Sequence, residues 1–338
     1  MKRLSLIFKE LLKREGVDKV GSLHRCGWDD PFQGMAISIL EGKGAIIKVD
    51  EPTRMAWTLD GEVTGSANFA YSRGDLDDAL IGKKEIMEEL SKYDHPYFII
   101  DLMYWDEHTP KEKRKLALQL SQSYGLIRNY LWGGKLVLTW LNKEAEKHMH
   151  FPLENITSSN TPTHQFLAEK GINETVLLDP WARKDMKVDD LESKAFIIGG
   201  IVDKTGDKKG ATPRMSEKLR ENGIRVKRRR ISLRGDVIGV PDRINLILEI
   251  LLRMIFEGKK MEEAVLEVQP YKDARWRLRK ELPKNKIKLE GLPVVEKELF
   301  YEYSKWLNIR WKDFNKVLDE LNLKAVERER IKELRNSH

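Results

Sequence analysis

Residues Phe196 to Met254 constrain the fold more than any other stretch of the chain. They read as an apolar strand, Gly199-Gly200-Ile201-Val202-Asp203-Lys204, and a helix. A strongly basic strand, Ile231-Ser232-Leu233, and Gly239-Val240-Pro241-Asp242 opening a long apolar helix follow. Strand and helix in alternation call for an α/β sheet. Loops at the ends of such strands are where open α/β sheets bind ligands. The same stretch is the most basic part of the chain. A ligand site set among positive charge points to an enzyme that acts on a nucleic acid.

The alternation extends upstream. Tyr97–Asp101, Lys135–Trp140, Thr175–Leu178, Ala195–Ile198 and Arg225–Arg229 read as strands. Helices are predicted from Thr109-Pro110 to about Arg128, over Thr163–Lys170, over Thr212–Glu221 and over Asp242–Phe256. The last is apolar almost all round, with Asp242, Asn245, Glu249 and Arg253 on one narrow stripe, so it should be buried on most sides. A small α+β unit precedes this region. It has a helix at Leu4–Arg14 and a strand at Arg54–Leu59. Met35–Leu40 and Ala45–Val49, separated by Glu41-Gly42-Lys43-Gly44, carry a hairpin signature. Lys83–Lys92 reads as a helix. After Pro270 the pattern becomes amphipathic and helical, over Asp273–Glu281, Glu296–Leu307 and Trp311–Leu321. The division predicted is 1–90, 91–270 and 271–338.

In 338 residues no run approaches 18 consecutive apolar positions, so no membrane helix is expected, and Met1-Lys2-Arg3-Leu4 lacks the pattern of a signal peptide. Cys26 is the only cysteine, which excludes an intrachain disulfide or a cysteine-built zinc site and fits a reducing cytoplasm. His148 and His150 beside Glu144 and Glu146 lack the spacing of a helical metal pair, so no metal is expected. The net charge of +7 is segregated. Lys204–Arg234 carries 12 basic and 3 acidic residues, and Tyr271–Lys288 carries 8 basic and 2 acidic, so the rest of the chain is net negative. Concentrated positive charge is the footprint of a polyphosphate partner. Arg225-Val-Lys-Arg-Arg-Arg230 sharpens the point: five cations in six residues cannot sit in a central parallel strand, which is apolar on both faces. That strand should lie at an edge or have its ends exposed, facing phosphate. Arg275, Trp276, Arg277 and Arg279 repeat the theme with an interleaved aromatic.

Neither a Walker lysine motif nor a Gly-x-Gly-x-x-Gly after a strand is present, which disfavours a nucleotide triphosphate or dinucleotide. Gly199-Gly200 permits close approach of backbone to a ligand or to another loop. Asp203 follows within the same loop, Asp242 sits at a helix start, and Asp101 ends a strand. Each also has an ordinary structural role, as an Asx-turn, a helix-terminal acid or a loop-starting acid.

Taken together, Phe196-Ile-Ile-Gly-Gly-Ile-Val-Asp-Lys204, the basic strand running into Ile231-Ser232 and the Val-Ile-Gly-Val opening of an apolar helix resemble the tRNA position-nine purine N1-methyltransferases of the SPOUT superfamily. The resemblance covers about Tyr97 to Pro270 and includes Ile99-Ile-Asp-Leu102 and Leu120-Ser-Gln-Ser-Tyr124. It implies a mostly parallel sheet with a C-terminal trefoil knot, a rare exception to unknotted chains. A small α+β N-terminal domain and a helical C-terminal domain flank it, as in archaeal members. It implies that S-adenosyl-L-methionine is bound and leaves as S-adenosyl-L-homocysteine. The cradle expected is Leu177, Leu178, Gly199, Gly200, Ile201, Asp203, Ile231, Ser232, Ile238, Gly239 and Val240.

The resemblance makes Asp203 the motif carboxylate, with Asp242 and Asp101 as further catalytic candidates. Two acids in proximity would raise one pKa into a useful range. Guanine N1 carries a proton and benefits from a base, whereas adenine N1 needs chiefly to be positioned. Gln122 matches a family glutamine on the helix facing the RNA. Gly125 stands where some eukaryotic members have arginine, with Arg128 about a turn on. With the basic clusters, the RNA-binding set expected is Gln122, Arg128, Lys204, Arg225, Lys227, Arg228, Arg229, Arg275 and Arg277. A monomer in the cytoplasm is expected. The competing readings are a non-catalytic RNA-binding protein and a SPOUT methyltransferase acting on rRNA.

Overall fold

The computed structural model describes residues 1–24, 27–74, 78–202 and 210–336. Two compact units form. The first takes Met1–Val176 and Glu192–Lys227, and the second takes Leu177–Leu191 and Arg228–His338.

The first unit begins with helix α1 (Leu4–Arg14). Leu4, Ile7, Phe8, Leu11 and Leu12 recur at helical spacing and are buried. Strand β1 (Lys19–Ser22) follows, then helix α2 (Pro31–Leu40) and strand β2 (Gly44–Lys48). Met35–Leu40 is therefore not the first arm of a hairpin. Asp30 caps the helix by accepting hydrogen bonds from the N–H groups of Phe32 (3.0 Å) and Gln33 (3.2 Å), and Pro31 occupies its first turn. That start signal outweighs the apolar run, which is buried on nearly every side because it lies in the core, not because it alternates. Strands β3 (Ala56–Thr58), β4 (Val63–Thr64) and β5 (Phe69–Arg73) complete a sheet of order β2-β5-β1-β3-β4, and helix α3 (Lys83–Leu90) leads out of it.

A second sheet carries the α/β alternation. Its elements are β6 (Tyr97–Asp101), α4 (Pro110–Ile127), β7 (Leu136–Thr139), α5 (Lys143–Glu146), β8 (Thr157–Ser158), α6 (Thr163–Glu169), β9 (Glu174–Leu178), β10 (Ala195–Gly199), α7 (Ala211–Glu221) and β11 (Arg225–Arg229). Thr109 and Glu112 form a capping box at the start of α4. The strand order is β11-β9-β10-β6-β7-β8. β10, β6, β7 and β8 run parallel, with Gly199 opposite Asp101 and Asp101 opposite Thr139. β6, β7 and β10 are buried along nearly their whole length, as strands covered on both faces should be. β11, with its cations, lies at the sheet edge, one of the two placements the charge pattern allowed.

The second unit holds α8 (Ile244–Glu257), α9 (Met261–Val268), α10 (Tyr271–Glu281), β12 (Ile287–Leu289), β13 (Leu292–Glu296), α11 (Leu299–Ser304), α12 (Trp311–Glu320), β14 (Lys324–Val326) and α13 (Arg328–Asn336). The polar stripe of α8 is tied inward: Arg253 pairs with Glu249 (2.8 Å) and with Glu267 of α9 (2.8 Å). α8 stops at Gly258, whose φ of +66° is the left-handed conformation glycine adopts at helix ends. The helical pattern of the C-terminal part is present, with a three-stranded sheet, β12-β13-β14, added to it. Glu290 and Gly291 both take positive φ (49° and 80°) and turn β12 into β13, a two-residue hairpin loop. Glu296 thus closes a strand and does not start a helix, since the hairpin claims the residues before it.

Candidate active site

In the first unit the ends of β6 and β10 are locked together. The Gly200 N–H donates to the carbonyl of Asp101 at 2.8 Å. A Cβ on Gly200 would lie 2.7 Å from that carbonyl oxygen and 2.7 Å from Leu102 Cδ2, so only glycine permits this approach. One step on, the Val202 N–H donates to His108 Nε2 at 2.9 Å. An accepting Nε2 places the ring proton on Nδ1, which faces the Trp105 carbonyl at 3.3 Å. His108 is buried and fixes the chain immediately before Asp203. Nothing in its sequence surroundings distinguished it. Asp203 and Lys204 themselves lie outside the described residues.

Asp101 is 2% exposed. Its carboxylate accepts from Thr163 Oγ1 (2.6 Å) and from the Met103 N–H (2.9 Å), and Thr163 is in turn 2.6 Å from Thr139 Oγ1. Burial pushes the carboxyl above its ordinary range, against the lowering effect of those two hydrogen bonds. Asp101, expected as a further catalytic candidate, is thus engaged within the fold. Its Oδ2 is satisfied by Thr163 and its Oδ1 by the Met103 N–H.

Gln122 is exposed on α4. Arg128 is not: it pairs with the nearly buried Glu41 at 2.9 Å and lies over the rings of Trp28 and Tyr124 (5.0 and 4.9 Å). Its charge is spent inside the unit. Arg225 and Lys227 remain the open cations of β11, with side chains 74% and 43% exposed, and both face Glu174.

In the second unit, Leu177 and Leu178 end β9 and are buried. Ile231 and Ser232 are buried as well, and the segment from Leu233 to Gly239 is pinned by two side chains. Arg277, 4% exposed, donates to the carbonyls of Leu233 (3.0 Å) and Ile238 (3.1 Å) and pairs with Glu281 (2.7 Å). Gln269 Nε2 donates to the Gly239 carbonyl (2.5 Å), and its other groups bond Asn308. Gly239 has φ +91°, and a Cβ there would lie 2.6 Å from Arg277 Cβ. Val240 follows as a half-buried residue. Arg277 was expected on an RNA-binding face. It is instead an internal strut, because a guanidinium can satisfy two carbonyls and a carboxylate together. Arg275 turns inward in the same way, to Asp313 at 2.6 Å.

Arg228 and Arg229 are corrected too. Arg228 pairs with the fully buried Asp179 (Nε to Oδ2, 2.7 Å) and Arg229 with the buried Asp190 (2.6 Å). Asp242 is exposed two residues before α8. Its acidic neighbour within this unit is Asp273, which the sequence did not single out. Burial, then the charge of Asp242, pushes the Asp273 carboxyl up. Asn245, buried in the first turn of α8, has an amide oxygen with no hydrogen-bond partner among the described residues.

The comparisons with known proteins agree along the chain. Residues 5–89 match the model of the N domain, and residues 275–337 that of the C domain, of tRNA (guanine(9)-/adenine(9)-N1)-methyltransferases. Residues 72–274 match tRNA (guanine(9)-N(1))-methyltransferase TRM10/TRM10A. The chain is 51% identical, over 99% of its length and 92% of the relative's, to the tRNA (guanine(9)-/adenine(9)-N1)-methyltransferase of Thermococcus kodakarensis. It is 28% identical, over 90% of its length and 94% of the relative's, to the tRNA (adenine(9)-N1)-methyltransferase of Sulfolobus acidocaldarius. A crystal structure of dual specific Trm10 from Thermococcus kodakaraensis superposes with a TM-score of 0.68 at 42% identity, covering 78% of this chain and 99% of that one. The Sulfolobus acidocaldarius Trm10 structure in complex with S-adenosylhomocysteine shares the fold, with a TM-score of 0.67 at 24% identity, covering 95% and 100%. This chain belongs to the tRNA (guanine(9)-/adenine(9)-N1)-methyltransferase family.

Proposed function

We propose that the protein transfers a methyl group to N1 of the purine at position nine of tRNA, guanine or adenine. The observation that carries the reading is 51% identity over 99% of the chain to a protein of that activity. S-adenosyl-L-methionine is the methyl source proposed, and S-adenosyl-L-homocysteine the product. The groups present fit such a molecule. The buried amide oxygen of Asn245, without a hydrogen-bond partner among the described residues, is an acceptor for a ligand N–H. The small and apolar side chains at Gly199, Gly200, Ile201, Leu177, Leu178, Ile231, Ser232 and Ile238 to Val240 suit a ligand enclosed by side chains and bonded by main chain. These segments are the proposed binding residues, and the proposed path of the chain through the last of them is the trefoil knot of the family.

When bound, the sulfonium supplies an electrophilic methyl. The protein has then to hold the purine N1 in line with it and, for guanine, to take the N1 proton. Asp203 is the proposed base. The described residues just before it are fixed, Val202 by its hydrogen bond to His108 and Gly200 by its bond to the Asp101 carbonyl. Asp242 is the second candidate, and its charge adds to burial in pushing the Asp273 carboxyl up. The matches at 5–89, 72–274 and 275–337 support a three-domain division at 1–90, 91–270 and 271–338, with the outer two holding RNA. A monomer in the cytoplasm is the working form proposed.

The test is nucleoside mass spectrometry of a tRNA transcript incubated with the protein and S-adenosyl-L-methionine. Formation of 1-methylguanosine or 1-methyladenosine at position nine supports the proposal. A transcript left unmodified, or a methyl group found only on ribosomal RNA, would refute it.

A further inference from the structure

The loop that joins β9 to the following strand has a construction that neither the charge runs nor the family match assigns. In sequence, Asp179 to Leu191 holds three cations and four acids, an unremarkable acidic loop. In the structure three of those acids are withdrawn. Asp179 is taken by Arg228, Asp190 by Arg229 and Asp185 by Arg230 (2.5 Å). The backbone is fastened as well. Arg230 N–H donates to the Lys184 carbonyl (3.0 Å), Met186 N–H to the Arg230 carbonyl (3.0 Å), and Lys187 N–H to Asp190 (2.9 Å). Trp181 N–H donates to Asp179 Oδ1 at 3.0 Å, and the adjoining Ala182 is buried.

What this clamped loop offers to solvent is Trp181, 70% exposed, and Val188, 80% exposed, with Arg183, Lys184 and Lys187 exposed in the same loop. Asp189 is the one exposed acid nearby in the loop. An indole held out on a fixed backbone and accompanied by cations is the arrangement that stacks an unpaired nucleobase and grips its phosphates. A loop that merely tolerated a stray apolar side chain would not need three arginine–aspartate clamps. Arg228 and Arg229, read from sequence as RNA contacts, thus act one step back with Arg230, by stiffening the loop that makes the contact.

We propose that Trp181, with Arg183, Lys184 and Lys187, forms a nucleotide-stacking site for the substrate tRNA. The site takes an unpaired base on the indole and the adjoining phosphates on the cations. This rests on the tRNA reading above and adds a contact surface to it.

The experiment measures tRNA binding by filter retention, S-adenosyl-L-methionine binding by calorimetry, and thermal unfolding. It uses the full chain and the variants Trp181→Ala, Trp181→Phe and Arg183→Glu/Lys184→Glu. Trp181→Ala should weaken tRNA binding about tenfold, within the range for loss of one base–aromatic stack. Trp181→Phe should stay within about threefold of the parent, since a ring remains. The double charge reversal should weaken binding and make its dependence on log salt shallower by about two. Donor binding and melting temperature should stay unchanged in all three. Parental tRNA affinity in Trp181→Ala overturns the proposal. So does a variant that alters only the self-association of the protein in sedimentation, which would make the loop a protein contact. If the parent binds tRNA and Trp181→Ala does not, yet neither methylates it, the stacking site stands and the methyl-transfer reading falls.

Discussion

Gly200 shows how much a single residue can decide. Its missing side chain lets β10 end against the carbonyl of Asp101, so an added methyl collides with backbone, which cannot rotate away. Gly200→Ala should therefore lower stability by about 1–3 kcal/mol, as overpacking of a rigid site does. Gly199→Ala should cost less, because the nearest obstacle is the flexible end of Ile201 at 2.9 Å. Thermal unfolding of the two variants decides it: equal losses would mean the close approach is not what requires glycine. The Gly-Gly pair was legible in the sequence because it directly follows an apolar strand. Asp101 was legible only as a strand-ending acid. Whether such an acid faces a cleft or a buried threonine depends on residues 38 and 62 positions away, Thr139 and Thr163, and local sequence holds no trace of that.

At the scale of elements, most of the α/β alternation could be read directly, because parallel strands are continuously apolar and caps such as Thr109–Glu112 announce their helices. The errors share a cause: a local signal was outvoted by a neighbour. Asp30-Pro31 turned an apolar run into α2, and Glu290-Gly291 drew a sheet into a region of helical pattern. α10 illustrates the same limit for function. Its arginines looked like a basic face, yet Arg277 reaches back to hold Leu233 and Ile238. Arg277→Met should weaken S-adenosyl-L-methionine binding by about tenfold or more, since losing the strut frees the segment proposed to bind it, and destabilise the fold by about 3 kcal/mol. Loss of tRNA affinity with donor binding intact, measured by calorimetry, would return Arg277 to the RNA face. α12 makes a prediction of its own. Asp313 at its start is nearly buried. Burial pushes its carboxyl up, but the guanidiniums of Arg310 (2.8 Å) and Arg275 (2.6 Å) prevail and hold it at about 2. A folded-state value below the unfolded one stabilises at higher pH and is lost as acid protonates the folded group. Stability worth roughly 2 kcal/mol should disappear between about pH 4 and about pH 2, and Asp313→Asn should flatten that limb of the unfolding profile.

Over the whole molecule, the charge segregation visible in the sequence survives only in part as available charge. Of the five cations between Arg225 and Arg230, Arg228, Arg229 and Arg230 are bound to aspartates of a single loop, while Arg225 and Lys227 keep exposed side chains beside Glu174. Composition counts both kinds alike, since pairing depends on which acids the fold brings to each strand. The two kinds should separate in one titration. Arg225→Glu/Lys227→Glu should leave the melting temperature unchanged, weaken tRNA binding, and reduce the slope of log affinity against log salt by up to about two, one for each phosphate contact removed. Arg228→Glu/Arg229→Glu should act through the fold instead. It places new carboxylates against Asp179 and Asp190, takes the paired cation from two buried acids and lowers the melting temperature, with a penalty of about 3 kcal/mol or more for each broken pair. Binding measured between about 50 and 200 mM salt, beside thermal unfolding, distinguishes the pairs, because counterion release registers only those cations that meet phosphate. An unchanged salt slope in the first variant would mean that the tRNA backbone does not run along the β11 edge, and that the surplus positive charge serves the fold rather than the RNA.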